Sequence, residues 1–417
     1  MKINSACILG IAASSAFSLH SVADEQSSLQ SFWDDSKASV LLRNAYFNRD
    51  YKDHTNDRKV WGQGFIGKYE SGFTQGPVGV GLDAYGLVGL KLDSGRGRNY
   101  SDFFDTRSDG RPVDSLSEAG AAFKLKASKT ELRYGNQFPL IPVLSSGDNR
   151  LLPQAFTGTL ITSREIEALE LNVGHFTADS SMGSPARDPR HLKSVDIYGG
   201  RYEVNKNLSI SLYHSDVEEQ YKKWYSNANL VIPLSSKKSL NFDFNIYQTK
   251  YAEGATSALA MGGDGSHNRN TIWSLASTYT NGPHAFTISH QRNTGNTGYA
   301  YDFGDGGTIW VGNSLYSDFN LNDERSWLLG YEYNFINYGL PGLTYRFAYA
   351  EGSNIVAGDI SDGRERELFN QVKYVVQSGA AKDLSLRLRT SIYRADKQVG
   401  PDMNEARVFI EYPISIF

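Results

Sequence analysis

The chain has 417 residues, with 42 Lys+Arg against 46 Asp+Glu and a formal net charge of −4. That balance excludes the strongly basic footprint of a nucleic-acid binder. Gly (40) and Tyr (25) are abundant, Pro is sparse (12), and the one cysteine, Cys7, lies close to the N-terminus.

Residues 1–23 are predicted to be a cleaved signal peptide. Met1-Lys2 is the positive end, residues 8–19 are apolar or small, and Ser21-Val22-Ala23 resembles a small-residue cleavage site. Residues 24–417 would form a single exported domain without cysteine, held by packing or backbone closure. Beyond the leader no run of 18 apolar residues occurs, so no helical membrane span is expected.

Strands with a period of two fill the rest. In chain order they are predicted at 40–47, 60–70, 77–91, 116–126, 129–137, 156–163, 166–176, 192–203, 207–216, 219–232, 240–251, 270–280, 284–292, 326–335, 343–351, 366–377, 383–394 and 404–416. The stretch 384–392 shows the pattern most plainly. Leu384, Leu386, Leu388 and Ile392 share one face, while Ser385, Arg387, Arg389 and Ser391 share the other. Such a strand suits a wall between hydrocarbon and water. Tyr345, Phe347 and Tyr349 oppose Thr344, Arg346 and Ala348 in the same way. Trp61, Trp224, Trp273, Trp327 and Tyr412 are placed for interfacial aromatic girdles.

The connections alternate between short turns and long polar segments at 48–59, 92–115, 138–155, 177–191, 252–269, 293–325, 352–365 and 395–403. Asp-Gly pairs at 109–110, 264–265, 305–306 and 362–363 all fall in the long ones. One rim of tight turns and one of long loops indicates an all-β fold, a transmembrane antiparallel β-barrel of about 18 strands around an aqueous lumen.

The dyad pattern points a set of cations inward: Arg43, Lys124, Lys126, Arg133, Arg201, Arg346, Lys373, Arg387, Arg389 and Arg407. Several lie on the first and last strands, which become neighbours when a barrel closes. A stripe of this kind offers an anion successive weak sites. Two loops are candidate constrictions. Residues 138–153 are apolar and carry three prolines, and Trp310, Leu315, Tyr316 and Phe319 stud the loop 293–325. Asp148 and Asp318 are the acidic candidates, with Asp318 placed opposite the stripe. Enzymatic features are weak. The histidines show no metal-ligand spacing, and the glycines at 76, 79 and 81 lack the strand–turn–helix setting of a phosphate loop. No cofactor is expected. A barrel hydrolase and a plugged structural or adhesive barrel are the rival readings.

Several stretches resemble the OprD-type, substrate-specific outer-membrane porins of Gram-negative bacteria. They include Leu42-Arg43-Asn44, Phe47-Asn48-Arg49-Asp50, Ser71-Gly72-Phe73-Thr74-Gln75-Gly76 and Pro142-Val143-Leu144-Ser145-Ser146. Asp148-Asn149-Arg150-Leu151-Leu152-Pro153, Asn322-Asp323-Glu324-Arg325-Ser326-Trp327 and the stretches 376–379 and 382–389 extend the likeness along the whole exported chain. The resemblance implies a monomeric 18-strand barrel, infolded third and seventh loops, and a basic ladder facing a more acidic side. It places the ladder on Arg43, Arg133, Arg150, Arg164, Lys373, Arg387, Arg389 and Arg407. It also implies partners: small anionic or zwitterionic carboxylate solutes, outer-membrane lipid and the barrel assembly machinery. Within the family, Tyr316-Ser317-Asp318-Phe319-Asn320 and Ile410-Glu411-Tyr412-Pro413 are more like channels for aromatic or cyclic acids such as benzoate than like those for basic amino acids or peptides. One departure concerns the C-terminus. Phe417 has the opposite parity to Ile410, Tyr412, Ile414 and Ile416, and a bulge or loose end near Pro413 is expected to reconcile them.

Overall fold

The computed structural model describes residues 29–53, 56–100, 102–301 and 309–417. The predicted leader and the Asp-Gly pair 305–306 lie outside the described residues.

Eighteen strands close into one antiparallel barrel, the first hydrogen-bonded to both the second and the last. The first five are β1 (Lys37–Tyr51), β2 (Arg58–Glu70), β3 (Gly79–Asp93), β4 (Ser115–Ala127) and β5 (Thr130–Gln137). A small separate hairpin, β6 (Leu140–Ile141) and β7 (Leu144–Ser145), sits in the loop that follows. The barrel resumes with β8 (Phe156–Ser163), β9 (Leu169–Asp179), β10 (Val195–Asn205), β11 (Leu208–Val217), β12 (Tyr221–Ser235) and β13 (Lys238–Tyr251). It ends with β14 (Arg269–Asn281), β15 (His284–Gly295), β16 (Arg325–Asn334), β17 (Leu343–Ala357), β18 (Ile360–Val375), β19 (Ser385–Ala395) and β20 (Met403–Ser415). Closure leaves no unpaired edge, which hydrocarbon would not tolerate.

Side-chain alternation follows the strand period. On β19 Leu386, Leu388 and Ile392 are exposed on the outside, while Arg387, Arg389, Ser391 and Tyr393 turn inward. Outward aromatics form two bands. Tyr198, His214 and Trp224 pack together near the long-loop rim, as do Trp273, His290 and Trp327. His284, Phe286, Tyr331 and Tyr333 pack near the short-turn rim.

Two connections differ from the sequence pattern. Residues 352–365 are not a loop: β17 and β18 extend as a hairpin with register shifts after Gly352 and Ile355, turning at Gly358-Asp359. The link between β11 and β12, on the long-loop rim, is only residues 218–220. The strict alternation of loop lengths therefore fails at two places. The short β11–β12 link agrees with the strands predicted at 207–216 and 219–232, whereas polar residues at 352–365 hid a hairpin that projects beyond the membrane, where no oily face is needed.

The lumen is partly filled from within. Leu151 and Leu152 of the loop 138–155 pack with Phe103, Phe104 and Tyr100 against Phe47, Val60, Leu116 and Phe409 of the wall. The other limb of that loop, Ile141, Val143 and Leu144, packs with Phe156, Phe176, Tyr247 and Tyr299. Gly62 and Gly64 make room for it. A Cβ on Gly62 would stand 2.8 Å from Leu151 Cδ2, and one on Gly64 would stand 2.9 Å from the Leu151 carbonyl oxygen. Phe319 of the loop 296–324 docks on Leu328, Ala348, Ala350 and Phe369. The Tyr247 hydroxyl joins both loops, donating to Pro142 O at 3.0 Å and accepting from Trp310 N at 3.1 Å.

At the C-terminus the register with β1 is regular through Pro413. The irregularity lies later than expected. Ile416 N donates to Ala38 O, and Ala38 N donates to Phe417 O, so the last two residues share one partner. Both are thereby exposed, as a terminal bulge allows.

Candidate functional site

The narrow part of the lumen lies between the inner face of β17, β18, β19, β20 and β1 and the two infolded loops. Register fixes the rungs. Arg389 on β19 is directly opposite Arg407 on β20 and Gln371 on β18, and Gln371 is opposite Arg346 on β17. Two residues further along, about 7 Å at strand rise, Arg387 is opposite Phe409 and Lys373. Arg43 on β1 is opposite Glu411. The cations thus come from neighbouring strands at three successive heights.

Aromatic rings form a floor under these guanidinium groups. Arg407 lies 4.7 Å from the Phe47 ring centroid and Arg387 lies 4.4 Å from that of Phe409. Arg389 and Arg346 share the Phe369 ring at 5.4 and 5.6 Å. Arg150 approaches Phe47 from the loop side at 5.7 Å. A ring under one face holds a guanidinium by cation–π attraction and leaves its in-plane donors for a carboxylate.

Carboxylates lock some rungs. Arg43 is buried and donates to Glu411 at 2.7 Å and to Asp148 at 2.6 Å. Its Nη1 also reaches the Arg150 carbonyl at 3.2 Å, so one side chain fixes the loop tip to the wall. Glu405 accepts from Arg49 at 2.5 Å and from Arg407. Arg150 is held by Asp102 at 3.2 Å and by Asn149. Burial, and then the neighbouring charge of Arg407, pull the Arg150 pKa below the usual arginine range. Arg387 is only loosely paired, 3.7 Å from Glu411, and its Nε has no hydrogen-bond partner among the described residues. Arg389 donates to the neutral Gln371 at 2.8 Å.

The predicted residues therefore divide. Arg43, Arg150, Lys373, Arg387, Arg389 and Arg407 converge on one wall. Arg133 does not join them. It lies on β5, with β2, β3 and β4 between it and β1, and it pairs with Asp83 and Glu131. Arg164 follows β8 on the short-turn rim, largely exposed and 2.6 Å from Glu170. The acidic residues are also not opposite the stripe. Asp148 binds the stripe through Arg43. Asp318 accepts from Tyr301 and Ser314, on the same side as Glu365 and Glu367 of β18. Burial first, then Glu367 and Glu365, push its carboxyl up to about 7.

Sequence reasoning missed Arg49 and the carboxylates at 405 and 411. Arg49 stacks between Tyr100 and Tyr316 at 4.9 and 4.6 Å. Its parity matches Arg43, Ala45 and Phe47, but ending the first strand at Phe47 removed it from the wall. Glu367 was missed too. It accepts from Tyr316 N and Ser317 N and so anchors the seventh loop.

Below the loops, a cavity of about 590 Å³ opens toward the short-turn rim, lined by Leu140, Trp310, Arg164, Glu170, Arg201 and Tyr213 among others. Leu140 is 74% exposed and Trp310 is 39% exposed, so each loop presents an apolar side chain to the passage.

A closed barrel with an oily exterior, long loops on one rim and a charged lumen narrowed from within is an outer-membrane channel. The family model described as outer membrane porin, OprD family, matches residues 30–416, and the chain belongs to that family. It is 41% identical to Porin D of Pseudomonas aeruginosa, over all of both chains. Its fold is similar to that of Acinetobacter baumannii OccAB1, with TM-score 0.89 and 37% identity over 94% of this chain and all of that one. It is also similar to Pseudomonas aeruginosa OpdK with vanillate, with TM-score 0.83 and 31% identity over 92% of this chain and all of that one.

Proposed function

We propose that this porin is a passive, selective channel for small carboxylates, with aromatic or cyclic acids favoured. The observation that carries the reading is the row of ring-backed guanidinium groups, Arg407, Arg389 and Arg387, beside the partly exposed Arg150. A solute carboxylate exchanges water for charge-assisted bonds to one rung and moves to the next before the first bond is costly to break. Lys373 and Arg346 extend the row toward the short-turn side. Arg43 is already neutralised by two carboxylates and acts as the tie for the loop tip rather than as an open rung. The uncharged part of the solute meets Leu140 and Trp310 on the way out. The vanillate in the OpdK structure is an aromatic carboxylate, which supports the same class here. The chain acts as a monomer in this reading, since the whole passage is enclosed by one barrel.

A second reading has an observation of its own. Asp148 is 55% exposed beside the row, and a half-exposed carboxylate facing cations suits a zwitterion such as a basic amino acid. Uptake into proteoliposomes across benzoate-like acids, basic amino acids and neutral sugars separates the two. Preferential benzoate-class flux supports the main reading. Preferential arginine-class flux moves the assignment to the second, and equal flux of sugars removes selectivity altogether.

A further inference from the structure

The parity that turns Trp224, Trp273 and Trp327 toward lipid also turns Lys222, Lys250, Arg269, Arg292 and Arg325 to the outer face, at the long-loop ends of β12 to β16. They stand in cross-strand contact with one another. Lys222 is directly opposite Lys250, Lys250 is opposite Arg269, and Arg292 is opposite Arg325. Like charges directly opposite in a ladder repel, and a nearby hydrocarbon phase strengthens the repulsion. Two of the five have a protein carboxylate nearby: Asp216 is 2.7 Å from Lys222, and Asp323 is 3.7 Å from Arg292. Among the described residues Lys250, Arg269 and Arg325 have none. Across the barrel the matching position differs. Lys59, beside Trp61, is matched by Asp93 at 2.9 Å.

We propose that this basic collar binds the phosphorylated glycolipid of the outer leaflet, with lipid phosphates seated between the cross-strand cation pairs. The height fits, because the cations lie immediately beyond the aromatic band, at head-group level. The surface beneath fits as well: Leu275 and Leu329, 40% and 56% exposed, continue the apolar face on which acyl chains lie. A multivalent anion relieves three like-charge contacts at once, which no protein carboxylate among the described residues does. On β18 and β19 the outward pair Arg366 and Arg394 is interleaved with Glu351, opposite Arg366, and Asp402, 3.8 Å from Arg394, so the unmatched cations are those of β12 to β16 and the lipid would be held on that side of the barrel.

The test uses the full chain in phosphatidylcholine nanodiscs doped with diphosphorylated lipid A or with the same lipid stripped of its phosphates. Retained lipid is counted by native mass spectrometry after release into detergent. The phosphorylated form should be retained preferentially. The triple variant Lys250→Gln, Arg269→Gln and Arg325→Gln should lower that retention on the order of a hundredfold, with unchanged single-channel conductance confirming an intact barrel. Equal retention of the phosphate-free lipid, or a conducting triple variant that retains as much as the parent, overturns the proposal. Should the triple variant not assemble, the parent protein decides: retention must fall steeply with ionic strength, and salt-independent retention overturns the proposal equally.

Discussion

Arg389 and Arg407 face each other across the β19–β20 ladder, both turned into the lumen. Two guanidinium groups in direct opposition cost stability unless something divides their charge. Arg407 has Glu405 and the Phe47 ring, whereas Arg389 has only a neutral amide and a shared ring. Arg389 is thus the rung with most of its charge left for a solute. Arg389→Gln should reduce benzoate-class uptake by roughly tenfold, about the worth of one charge-assisted hydrogen bond, and should leave thermal stability equal or higher. Arg133→Gln and Arg164→Gln should change uptake much less, since both lie off the row. Proteoliposome flux on the three variants checks this. Equal losses in all three would mean that general lumen charge, not the row, sets transport.

Arg43 plays a different part. Truncation by Arg43→Ala strands Glu411 on the wall and releases Asp148 and the Arg150 carbonyl on the loop. Asp148 is more than half exposed and is readily rehydrated, so the cost falls below that of a fully buried pair, at about 1–2 kcal/mol. The functional effect should be larger than the thermal one, because the loop tip loses its tie. Single-channel recordings should show added current fluctuations in Arg43→Ala. Asp148→Asn keeps the Glu411 contact and should show a weaker form of the same noise. A quiet Arg43→Ala channel would refute the tie.

Gly62 and Gly64 allow a separate test of what narrows the pore. Any side chain at Gly62 meets Leu151 Cδ2 and the Phe104 ring, while its φ is not in the left-handed region, although the ladder with β3 shifts register between Trp61 and Gly62. Gly62→Val should therefore leave the barrel assembled and push the limb 147–153 off the wall. Conductance should change and discrimination between benzoate and sugars should weaken. Unaltered conductance in an assembled Gly62→Val barrel would place the constriction elsewhere.

How much of this was legible beforehand depends on what each residue answers to. Strand count and lipid-facing parity follow from a period of two imposed by hydrocarbon and water; the sequence around Leu386 and Arg387 states the parity, and its recurrence along the chain states the count. The convergence of Arg43 with Arg387 and Arg407 was legible only through closure, which makes the first and last strands neighbours. The separation of Arg133 was not legible, because parity says which side of a wall a residue faces and nothing about its position around the circumference. The contacts of Asp318 and Asp148 were not legible for a related reason. A loop residue obeys no period, and its place depends on contacts such as Glu367 with the Tyr316 and Ser317 amides that lie about 50 positions away in the chain.

The seventh loop carries a pH dependence whose sign follows from Asp318. Its carboxyl is raised to about 7 from an ordinary value near 4, by burial and by Glu367 and Glu365, against the opposing pull of Arg407 and Arg150. A carboxyl raised in the docked loop holds its proton more tightly there than in the undocked loop. Docking is therefore strongest at acid pH, weakens as pH rises from about 4 through about 7, and is flat above that. Protonated Asp318 can share hydrogen bonds with Tyr301 and Ser314 without charge, whereas ionised Asp318 adds a third negative group beside the two glutamates. Amide hydrogen exchange across residues 314–320, corrected for intrinsic rates, should quicken between about pH 4 and about pH 7 in the parent protein. Asp318→Asn should lose most of that slope and keep slow exchange at the upper pH. An Asp318→Asn protein with the parent's full slope would assign the dependence to Glu365 and Glu367 instead.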